Sequence, residues 1–547
     1  MCGIAGFFNP GNKQIPEHFL DKFATLQQHR GPDYTGTFYN NYLGFAHNRL
    51  SILDLSPAAN QPFQENGYAL VYNGEIYNFV DLRKELEDDG VEFRSTGDTE
   101  VLFRCLIHFG VKQTVARIRG MFAFAFWNER ENALYLVRDR VGIKPLFYAI
   151  LDGTLFFASE MKALTHTLPF TLDETRVLYA TLGILEKSLE LTAFKELYHV
   201  PPGCILRFGA QGISKTRYFS LAGLIDKDAY ARRSQMGFAG ALDEFKSLFD
   251  ASVKKMLVSD APMGAYVSGG IDSSLIAASA CQFTQSDFKL FTANVLGKYS
   301  EFDDAKLLSK TLDRELLDYP FEPEFFIRDL TKVTWHYESP VVVHANAVPF
   351  SNVSGLARKS RVKAVLTGEG SDEMFLGYPR LLTRRYDGLI KLPFTILNKL
   401  YGLVPPLKSY MKGGGAGGID VLFEKLTHNF TRDLLRDEGM KRLEFLPEEK
   451  RKEHYLTIQM LNEGIVSLLW RNDRMGMIHS IEARFPFLDE DLLEFAVNLP
   501  SEYKIGRIPK FYNYKHPFLI DKKIVRKAAE GILPEKLIYK KKNGFPL

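Results

Sequence analysis

The chain has 547 residues, 46% of them hydrophobic and 25% charged, which is the composition of a globular protein large enough for more than one core. Its 69 lysines and arginines nearly balance its 66 aspartates and glutamates, and the net charge of +3 argues against nucleic acid as a partner. No charged segment followed by an apolar stretch opens the chain, and its most apolar long segment, Leu389 to Pro406, is broken by lysines and prolines, so neither a secretory signal nor a membrane span is expected.

The four cysteines, at positions 2, 105, 204 and 281, are sparse and far apart. This spacing argues against a disulfide framework and a Cys-x-x-Cys metal site, and it favours a reducing compartment, so we expect a cytoplasmic protein. Cys2 would become the first residue if an aminopeptidase removed Met1. One residue would then carry a thiol nucleophile and a free α-amine as its base, which is the arrangement of N-terminal nucleophile hydrolases. An ordinary thiol is the alternative interpretation.

From residue 1 to about residue 220, short apolar strands alternate with turns, and three helical patterns are inserted. The predicted strands are Gly3 to Phe8, Tyr42 to Ala46, Ala69 to Tyr72, Phe122 to Trp127, Ala133 to Val137 and Leu155 to Ala158, and the predicted helices are Glu17 to His29, Phe79 to Asp89 and Thr99 to Phe109. This order predicts an α+β fold with layered, mainly antiparallel sheets.

A polar stretch near Asp226 to Gln235 separates this half from a second one, so we place the domains at 1–220 and 236–547. In the second half strands and helices alternate: strand Ala265 to Val267, helix Ser273 to Cys281, strand Leu290 to Val295, helix Asp303 to Leu312 and strand Ala364 to Thr367. This alternation predicts an α/β domain with a parallel sheet and right-handed crossovers, and a ligand at the carboxyl ends of the strands.

Four short polar clusters lie at turns of the first half: His29 to Asp33, Arg49 to Ile52, Tyr72 to Asn78 and Thr96 to Glu100. Taken singly, they have ordinary structural interpretations. Asn73-Gly74 is a good hairpin turn, Thr96 to Glu100 is a helix N-cap, and Arg49 is a surface salt-bridge partner. For each cluster alone these alternatives stay open.

Together with Cys2, however, the clusters resemble the class II glutamine amidotransferase domain, and the first half is similar to the glutaminase domain of the asparagine synthetase family. Glutamine is a zwitterion with a side-chain amide, so a selective pocket needs a cation for its carboxylate and anions for its ammonium group. The resemblance implies that Arg49 binds the α-carboxylate in a bidentate manner, and that Glu75 and Asp98 bind the α-ammonium group.

The same resemblance implies how the amide is attacked. Cys2 would form a γ-glutamyl thioester and release ammonia, while the Asn73 side-chain amide and the Gly74 backbone N–H would form the oxyanion hole. Glycine at position 74 lets the backbone approach the substrate closely. Since the α-amine of Cys2 already supplies a base, we assign His29 a structural role beside the nucleophile rather than a catalytic one.

In the second half, the predicted strand Ala265 to Val267 runs into a loop rich in serine and glycine and then into a helix. Such a turn exposes backbone N–H groups at a helix N-terminus and therefore suits a pyrophosphate. The string Ser-Gly-Gly-x-Asp-Ser-Ser resembles the pyrophosphate loop of ATP pyrophosphatases, and it matches neither the dinucleotide-binding nor the Walker motif. The resemblance assigns ATP binding to Ser268, Gly269, Gly270, Asp272, Ser273 and Ser274.

A second strand end carries the segment Thr367 to Glu373, whose three acids would by themselves suggest a solvated turn. The segment resembles the one that lines the acyl-adenylate site in asparagine synthetases. The resemblance implies that Glu369 lies at the reacting centre and that Asp372 joins Asp272 on Mg²⁺, which prefers hard oxygen ligands. The nucleotide is further expected to contact Val267, Ala293, Thr367 and Gly368.

Segments near the C-terminus extend the resemblance: Asp473 to Met475, Ile481 to Asp489, and Lys540 to Phe545. The family pattern contains a lysine two residues before Gly-Phe. Lys542 is therefore implied to stabilise the adenylation transition state, because a point charge suits a phosphoryl centre whose negative charge is spreading. A solvated basic run is the alternative interpretation.

The sequence departs from the family pattern in three places. Tyr266 and Arg471 replace residues that are more usual, and both replacements are chemically tolerable. Relatives commonly carry a further helical segment beyond the position of Leu547. We therefore expect that the second domain either lacks a C-terminal segment or completes its site in a different way.

The expected function is that of a glutamine-dependent asparagine synthetase that uses ATP and Mg²⁺. Ammonia from glutamine would pass through an internal tunnel to the second domain, where aspartate attacks the α-phosphate of ATP to give β-aspartyl-AMP and pyrophosphate before ammonia displaces AMP. Three alternatives stay open: amidation of another carboxylic acid, for example in surface polysaccharide synthesis, a non-catalytic glutamine-binding protein, and a β-lactam-forming synthetase, which would not need Cys2. The expected partners are small substrates, without nucleic acid or membrane, and a homodimer is compatible with the resemblance.

Overall fold

A computed structural model describes residues 2–181, 188–295, 300–339, 344–378, 382, 437–508 and 518–540. The apolar segment Leu389 to Pro406 and the candidate residue Lys542 lie outside the described residues. Within the described part of the chain, no helix combines the length and the apolar character that crossing a membrane requires. Two regions of different architecture follow one another along the chain.

The first region is built from antiparallel strands. In chain order they are β1 Gly3–Phe8, β2 Tyr34–Asn40, β3 Leu43–Arg49, β4 Phe63–Glu65, β5 Tyr68–Ile76, β6 Gly120–Asn128, β7 Ala133–Arg138, β8 Phe147–Leu151, β9 Thr154–Ala158, β10 Leu197–His199, β11 Cys204–Gly209 and β12 Gly212–Arg217. They form two six-stranded sheets, with the orders β10-β8-β9-β1-β3-β2 and β12-β11-β7-β6-β5-β4. Because β1 pairs with β9 on one side and β3 on the other, the start of the chain is held inside a sheet.

Helices cover the outer faces of both sheets. In chain order they are α1 His18–Gln27, α2 Phe79–Asp88, α3 Asp98–Phe109, α4 Val111–Arg117, α5 Met161–Thr165 and α6 Glu174–Thr181. Helices α1 and α5 pack on the sheet that contains β1, and α2 and α3 pack on the sheet that contains β5. A third apolar cluster fills the space between the sheets, so the region has four layers in the order helix, sheet, sheet, helix.

Strand β6 shows why the sequences of these strands are continuously apolar. Its odd-numbered residues from Ala123 to Trp127 face the core between the sheets, and its even-numbered residues from Phe122 to Phe126 face the helices. Successive side chains of a strand point to opposite faces, and here both faces are buried.

The second region contains five parallel strands: β13 Met263–Tyr266, β14 Lys289–Val295, β15 Leu316–Phe321, β16 Ala364–Leu366 and β17 Glu482–Arg484. Their order in the sheet is β15-β14-β13-β16-β17. A separate antiparallel pair is formed by β18 Gly506–Arg507 and β19 Leu519–Ile520. The chain order changes direction between β13 and β16, and parallel sheets bind ligands beyond the carboxyl ends of strands at such a point.

The helices of the second region are α7 Lys227–Gln235, α8 Gly237–Met256, α9 Ile271–Phe283, α10 Phe302–Leu312, α11 Pro323–Tyr337, α12 Ala347–Lys359, α13 Ser371–Met374, α14 Glu448–Gln459, α15 Ile465–Met477, α16 Glu490–Val497, α17 Ser501–Lys504, α18 Lys523–Ala529 and α19 Glu535–Ile538. Helices α8 and α9 pack on one face of the parallel sheet, and α12 packs on the other. A single π-helical turn, Met460–Gly464, joins α14 to α15.

The fold class expected from the sequence is confirmed, since layered antiparallel sheets are followed by a parallel sheet with helices. One local interpretation is wrong. Asn73 and Gly74 do not form a hairpin turn but lie inside β5, where they pair with Ala123 and Phe122 of β6. The turn preference of the Asn-Gly pair is overridden because tertiary packing continues the strand to Ile76.

Candidate functional site

Cys2 lies directly before β1, and its side chain is buried. Its backbone N–H donates to Asn73 Oδ1 at 2.8 Å, and its carbonyl oxygen accepts from Arg30 Nε at 3.1 Å. Burial raises the pKa of the Cys2 thiol, so a base must remove the proton before the sulfur can act as a nucleophile. The backbone on both sides of the thiol is therefore held by side chains that are distant in sequence.

Asn73 offers an unused hydrogen-bond donor next to Cys2. The residue is fully buried, and its Nδ2 has no hydrogen-bond partner among the described residues. A buried donor without a partner costs about 1–3 kcal/mol, so this amide is poised for an acceptor that a ligand would bring. The next residue, Gly74, has no room for a side chain. A Cβ there would lie 2.2 Å from the carbonyl oxygen of Met121 and 2.7 Å from Phe122 Cα. Only glycine fits this close approach between β5 and β6.

Two buried carboxylates lie near this amide. Glu75 occupies the same face of β5 as Asn73, because side chains two residues apart in a strand share a face. Its Oε2 has no hydrogen-bond partner among the described residues, and its Oε1 lies 3.5 Å from Arg484 Nη2. Burial and the charge of Glu482 raise the pKa of Glu75, while Arg484 opposes this rise. An incoming cation would therefore satisfy an unpaired oxygen and favour the ionised carboxylate.

The second carboxylate, Asp98, is the first residue of α3. Its Oδ2 accepts hydrogen bonds from the Tyr72 hydroxyl and the Ile76 backbone N–H, both at 2.8 Å. Burial raises the pKa of Asp98 to about 6. The segment does start a helix, but its N-cap is Gly97, which has no side chain to cap the helix. The carboxylate of Asp98 is thus directed at the end of β5.

Arg49 is the last residue of β3, and the surface salt-bridge interpretation is wrong because the side chain is 5% exposed. Its Nη1 donates to the Ser56 carbonyl oxygen at 2.8 Å and to Asn60 Oδ1 at 2.7 Å. The guanidinium group therefore holds the loop after β3 in place.

His29 contacts other residues, since its Nε2 lies 3.1 Å from Glu160 Oε1 and its ring centroid lies 4.4 Å from that of His336. Its structural role stays a prediction.

A second site lies at the carboxyl ends of β13, β14 and β16, around a cavity of about 520 Å³. The structure brings together most of the residues assigned to ATP and the reacting centre. Those that line the cavity are Val267, Ser268, Gly270, Asp272, Ser273, Ala293, Thr367, Gly368, Glu369 and Asp372. Gly269 and Ser274 do not line it. Gly269 has a φ of 68° and a Cβ there would lie 2.4 Å from Asp304 Cβ, so the turn requires glycine, while Ser274 is buried inside α9.

Lys522 is a site residue that the sequence reasoning missed. Its Nζ lies 2.5 Å from Asp272 Oδ2 and 2.7 Å from Asp372 Oδ1, and its side chain is 3% exposed. Although burial lowers it, the pKa of Lys522 is raised overall by the two carboxylates. No local pattern points to this lysine, because Asp272 is 250 positions earlier in the chain.

The same geometry tests whether Mg²⁺ suits this site. Oxygens of Asp272 and Asp372 converge on one cationic atom, which shows that both can reach a common positive charge. Two carboxylate oxygens together with phosphate oxygens form a ligand set that Mg²⁺ accepts. The residues present therefore fit the ion.

Glu369 lines the same cavity and is held by two neighbouring residues of α15. Arg471 forms an ion pair with it through Nη2, and Asn472 Nδ2 donates to Glu369 Oε1 at 3.2 Å. Arg471 Nη1 also donates to Asn346 Oδ1 at 3.2 Å. Tyr266, the other departure from the family pattern, lines the cavity as well and donates its hydroxyl to Ser354 Oγ at 2.8 Å. Both replacements thus lie at the cavity.

A buried interface joins the two sites. Charged pairs cross it, with Lys144 Nζ 3.4 Å from Glu482 Oε2 and both side chains fully buried. Apolar residues cross it too, since Leu50, Met121 and Ile143 of the first region belong to the same cluster as Val267 of the second. Buried ion pairs lose hydration and are kept only with good partners, so this arrangement demands a close fit between the regions.

Both regions match models of known protein families. Residues 1–219 match a glutamine amidotransferase domain, and residues 244–547 match asparagine synthase. The chain is 31% identical over 579 residues to the glutamine-hydrolysing asparagine synthetase 1 of Bacillus subtilis, covering 100% of this chain and 87% of that protein. It is 29% identical over 582 residues to asparagine synthetase 3 of the same organism, with equal coverage. It is also 26% identical over 642 residues to amidase chry2 of Gibberella zeae, covering 100% of this chain and 88% of that protein.

Proposed function

The chain belongs to the asparagine synthase family and carries a glutamine amidotransferase domain, and from this premise we propose that it is a glutamine-dependent asparagine synthetase. The observation that carries the proposal is the connection of two different sites through one buried interface. One site offers a cysteine beside Asn73, whose Nδ2 has no partner among the described residues, and the other offers a loop rich in serine and glycine beside acidic residues. Glutamine and ATP are the substrates that the family implies.

In the first site, Cys2 is the proposed nucleophile. With Met1 removed, the α-amine would be the nitrogen that lies 2.8 Å from Asn73 Oδ1. This amine would take the thiol proton as sulfur attacks the side-chain amide carbon of glutamine, and it would return the proton to the departing ammonia. Water then hydrolyses the γ-glutamyl thioester to glutamate and restores the thiol.

The groups around Cys2 are proposed to bind glutamine as the family resemblance implies. Asn73 Nδ2 and the Gly74 backbone N–H would stabilise the oxyanion, and each such donor contributes about 3 kcal/mol in the transition state. The unpaired Oε2 of Glu75 and the carboxylate of Asp98 would bind the α-ammonium group, while Arg49 would bind the α-carboxylate.

In the second site, a carboxylate of aspartate would attack the α-phosphate of ATP, and pyrophosphate would leave at the loop that precedes α9. Asp272 and Asp372 would hold Mg²⁺, which supplies positive charge to the phosphates. Lys522 adds a second positive charge beside them. Glu369 is proposed at the reacting centre, where a carboxylate can take the proton that ammonia loses on attack. Lys542, outside the described residues, keeps its proposed role in adenylation.

Ammonia is proposed to move between the sites through the interface rather than through bulk water. The apolar side chains of Leu50, Met121 and Ile143 support this proposal, because they lie in one cluster with residues beside the ATP loop. An apolar passage disfavours ammonium and water but admits neutral ammonia, which is the nucleophilic form.

The acceptor is tested by incubating the protein with ATP, MgCl₂, glutamine and one acid at a time. We expect aspartate to give AMP and pyrophosphate in equal amounts together with asparagine. For glutamate, ammonium chloride replaces glutamine, because glutamine hydrolysis itself releases glutamate, and we expect kcat/KM to be lower by at least about tenfold, since one additional methylene changes recognition by about 1–3 kcal/mol. Reactions without an acid, and with succinate, serve as controls. Absence of aspartate-dependent AMP would reject asparagine synthesis and direct the test to other carboxylic acids.

Glutamine hydrolysis is expected to weaken at low pH. The α-ammonium group needs an ionised Asp98, whose pKa is raised to about 6, so protonation below that pH removes the anion. We expect kcat/KM for glutamine to fall by about tenfold per pH unit on the acidic side of this value, as a free-enzyme ionisation does. Burial also raises the pKa of Glu75, so protonation of this second carboxyl group should add to the same acidic fall. Glutamate release across pH 4.5–8, about two units around the cited value, measures the profile.

Asp98→Asn provides the matched control for this profile. The variant should hydrolyse glutamine slowly at all pH values, and the part of the acidic fall that is due to Asp98 should be missing. An unchanged acidic fall in Asp98→Asn would contradict the assignment of that carboxylate to the α-ammonium group.

A further inference from the structure

Helix α15 lies between the two sites and sends buried polar side chains to both. Arg471 and Asn472 contact Glu369 at the ATP cavity, whereas Asp473 contacts Arg30 of the first region. Arg471 and Asp473 are two residues apart, which separates their side chains by about 200° around the helix axis. The helix therefore has one of these charges on each side, and the roles proposed above do not account for Asp473.

On the side of the first region, Asp473 is connected to the backbone of the nucleophile. Arg30 Nη1 and Nη2 donate to the two carboxylate oxygens of Asp473, each at 2.9 Å. The same guanidinium group donates through Nε to the carbonyl oxygen of Cys2 at 3.1 Å. Arg30 is fully buried and Asp473 is 4% exposed. A bidentate pair of this kind fixes both the position and the plane of the guanidinium group, so Asp473 helps to place Cys2.

The next residue of α15, Arg474, is connected to β1 by a second route. Arg474 Nη1 lies 3.1 Å from Glu160 Oε1 and 3.4 Å from the Ser159 carbonyl oxygen. Ser159 Oγ in turn accepts from the Ile4 backbone N–H at 3.0 Å. Two consecutive residues of α15 thus connect to β1 close to Cys2.

On the side of the second region, an ion pair connects α15 to the proposed reacting centre. Arg471 is paired with Glu369 and bonded to Asn346, so a substrate that attracts either charged group must compete with contacts made by α15. The π-helical turn Met460–Gly464 precedes α15 directly. Such turns interrupt the regular helical hydrogen bonds and are frequent at functional sites. The regular hydrogen bonding of the helix is thus interrupted just before α15 begins.

We propose that Asp473 is a positioning residue for Cys2, and that α15 makes the reactivity of Cys2 depend on the occupant of the ATP cavity. The proposal rests on the proposed function for the identity of both sites. A substrate bound at Glu369 and Arg471 would favour one position of α15. The contacts of Asp473 with Arg30, and of Arg30 with Cys2, would then change the position of Cys2. Coupling of this kind arises only if the substrate binds the two positions with different affinity.

Asp473→Asn in the full chain tests the positioning role, because the amide keeps the size of the side chain but loses its charge and one acceptor. The rate of Cys2 alkylation by iodoacetamide, followed by mass spectrometry of the N-terminal peptide, is expected to change by at least about fivefold. We expect kcat for glutamine hydrolysis to fall by at least about tenfold while KM for glutamine changes by less than about threefold, since Arg49, Glu75 and Asp98 are untouched. AMP formation with ammonium chloride should stay within about twofold.

The coupling is tested by repeating the alkylation with ATP and aspartate present. In the unsubstituted protein these substrates are expected to change the alkylation rate by at least about fivefold, and in Asp473→Asn they should change it by less than about twofold. Glu494→Gln is the matched control, because it also replaces a carboxylate paired with a buried arginine, Arg233, but contacts neither site. It should behave as the unsubstituted protein.

Arg30→Lys breaks the same connection from the other side, since a single ammonium group cannot replace the bidentate contact with Asp473 and the contact with Cys2 together. It is expected to reproduce both losses, which keeps the test decisive if Asp473→Asn does not fold. If Cys2 is alkylated in either variant at the same rate as in the unsubstituted protein, the positioning role is overturned. Alkylation of Cys2 without substrates does not depend on which acid is the acceptor. A failure to form aspartate-dependent AMP would therefore reject the proposed function, whereas the alkylation rates alone decide the positioning role.

Discussion

Cys2→Ala is expected to abolish glutamine-dependent amidation while ammonia-dependent amidation stays within about twofold of the unsubstituted protein. The proposed thioester requires a sulfur nucleophile, and neither the Asn73 amide nor the Gly74 N–H can replace it. The second site contains its own proposed ATP loop and acids, so it should still form AMP when ammonium chloride supplies the nitrogen. The contrast between the two nitrogen sources is the result that identifies the nucleophile.

The measurement combines glutamate release, asparagine formation and AMP formation for each nitrogen source. Cys204→Ala is the matched control, because it removes another buried thiol of the first region, in β11, without touching the proposed site. That variant should keep both activities. Undiminished glutamate release by Cys2→Ala would refute the thioester mechanism. N-terminal sequencing of the active protein should begin at Cys2, since with Met1 retained the α-amine cannot serve as the base.

Asp372→Asn is expected to give the opposite pattern, with a loss of AMP formation of at least about a hundredfold for both nitrogen sources. Asp272 and Asp372 together balance the charge of Lys522 and provide the proposed Mg²⁺ ligands. The amide leaves one positive charge less well paired and removes a hard anionic ligand, so binding of the ATP–Mg²⁺ complex should weaken. Glutamine hydrolysis should remain, because the first site makes no use of Asp372.

Pyrophosphate release and glutamate release, measured in the same reaction, separate these outcomes. Asp250→Asn is the matched control. This carboxylate, in α8, accepts from Ser279 Oγ of α9 at 2.5 Å and does not line the cavity. The control should keep AMP formation, and raising the MgCl₂ concentration should restore part of the activity of Asp372→Asn. Normal AMP formation by Asp372→Asn would show that this carboxylate is not needed for adenylation.

Much of the architecture could be predicted because it depends on neighbouring residues. The predicted strand Gly3–Phe8 has the observed ends, since a short run of apolar residues and glycines before a turn signal predicts a strand inside a sheet. The loop from Ser268 could be located for the same reason, as its glycines and serines are consecutive. The identification of Asn73-Gly74 as a hairpin turn failed because the pairing partner, β6, begins far along the chain at Gly120.

The candidate sites could be predicted only in part. Arg49, Asn73, Glu75 and Asp98 were proposed through a resemblance, but their burial and the unpaired atoms of Asn73 and Glu75 depend on layers that meet in three dimensions. Lys522 was missed because nothing near it in sequence distinguishes it from an exposed lysine. The role now proposed for Asp473 was also missed, since its partner Arg30 is 443 positions away.

The sequence by itself determined the order of the two architectures, the position of the loop that begins at Ser268 and the chemistry that Cys2 can offer. Each of these depends on hydrogen bonds, backbone freedom or apolar periodicity over a few consecutive residues, and such local effects can be read along the chain. The tertiary structure alone decided which charges became partners: Lys522 with Asp272 and Asp372, and Arg30 with Asp473. Those pairs form because packing removes water from side chains that are distant in sequence, and a buried charge is stable only beside an opposite one.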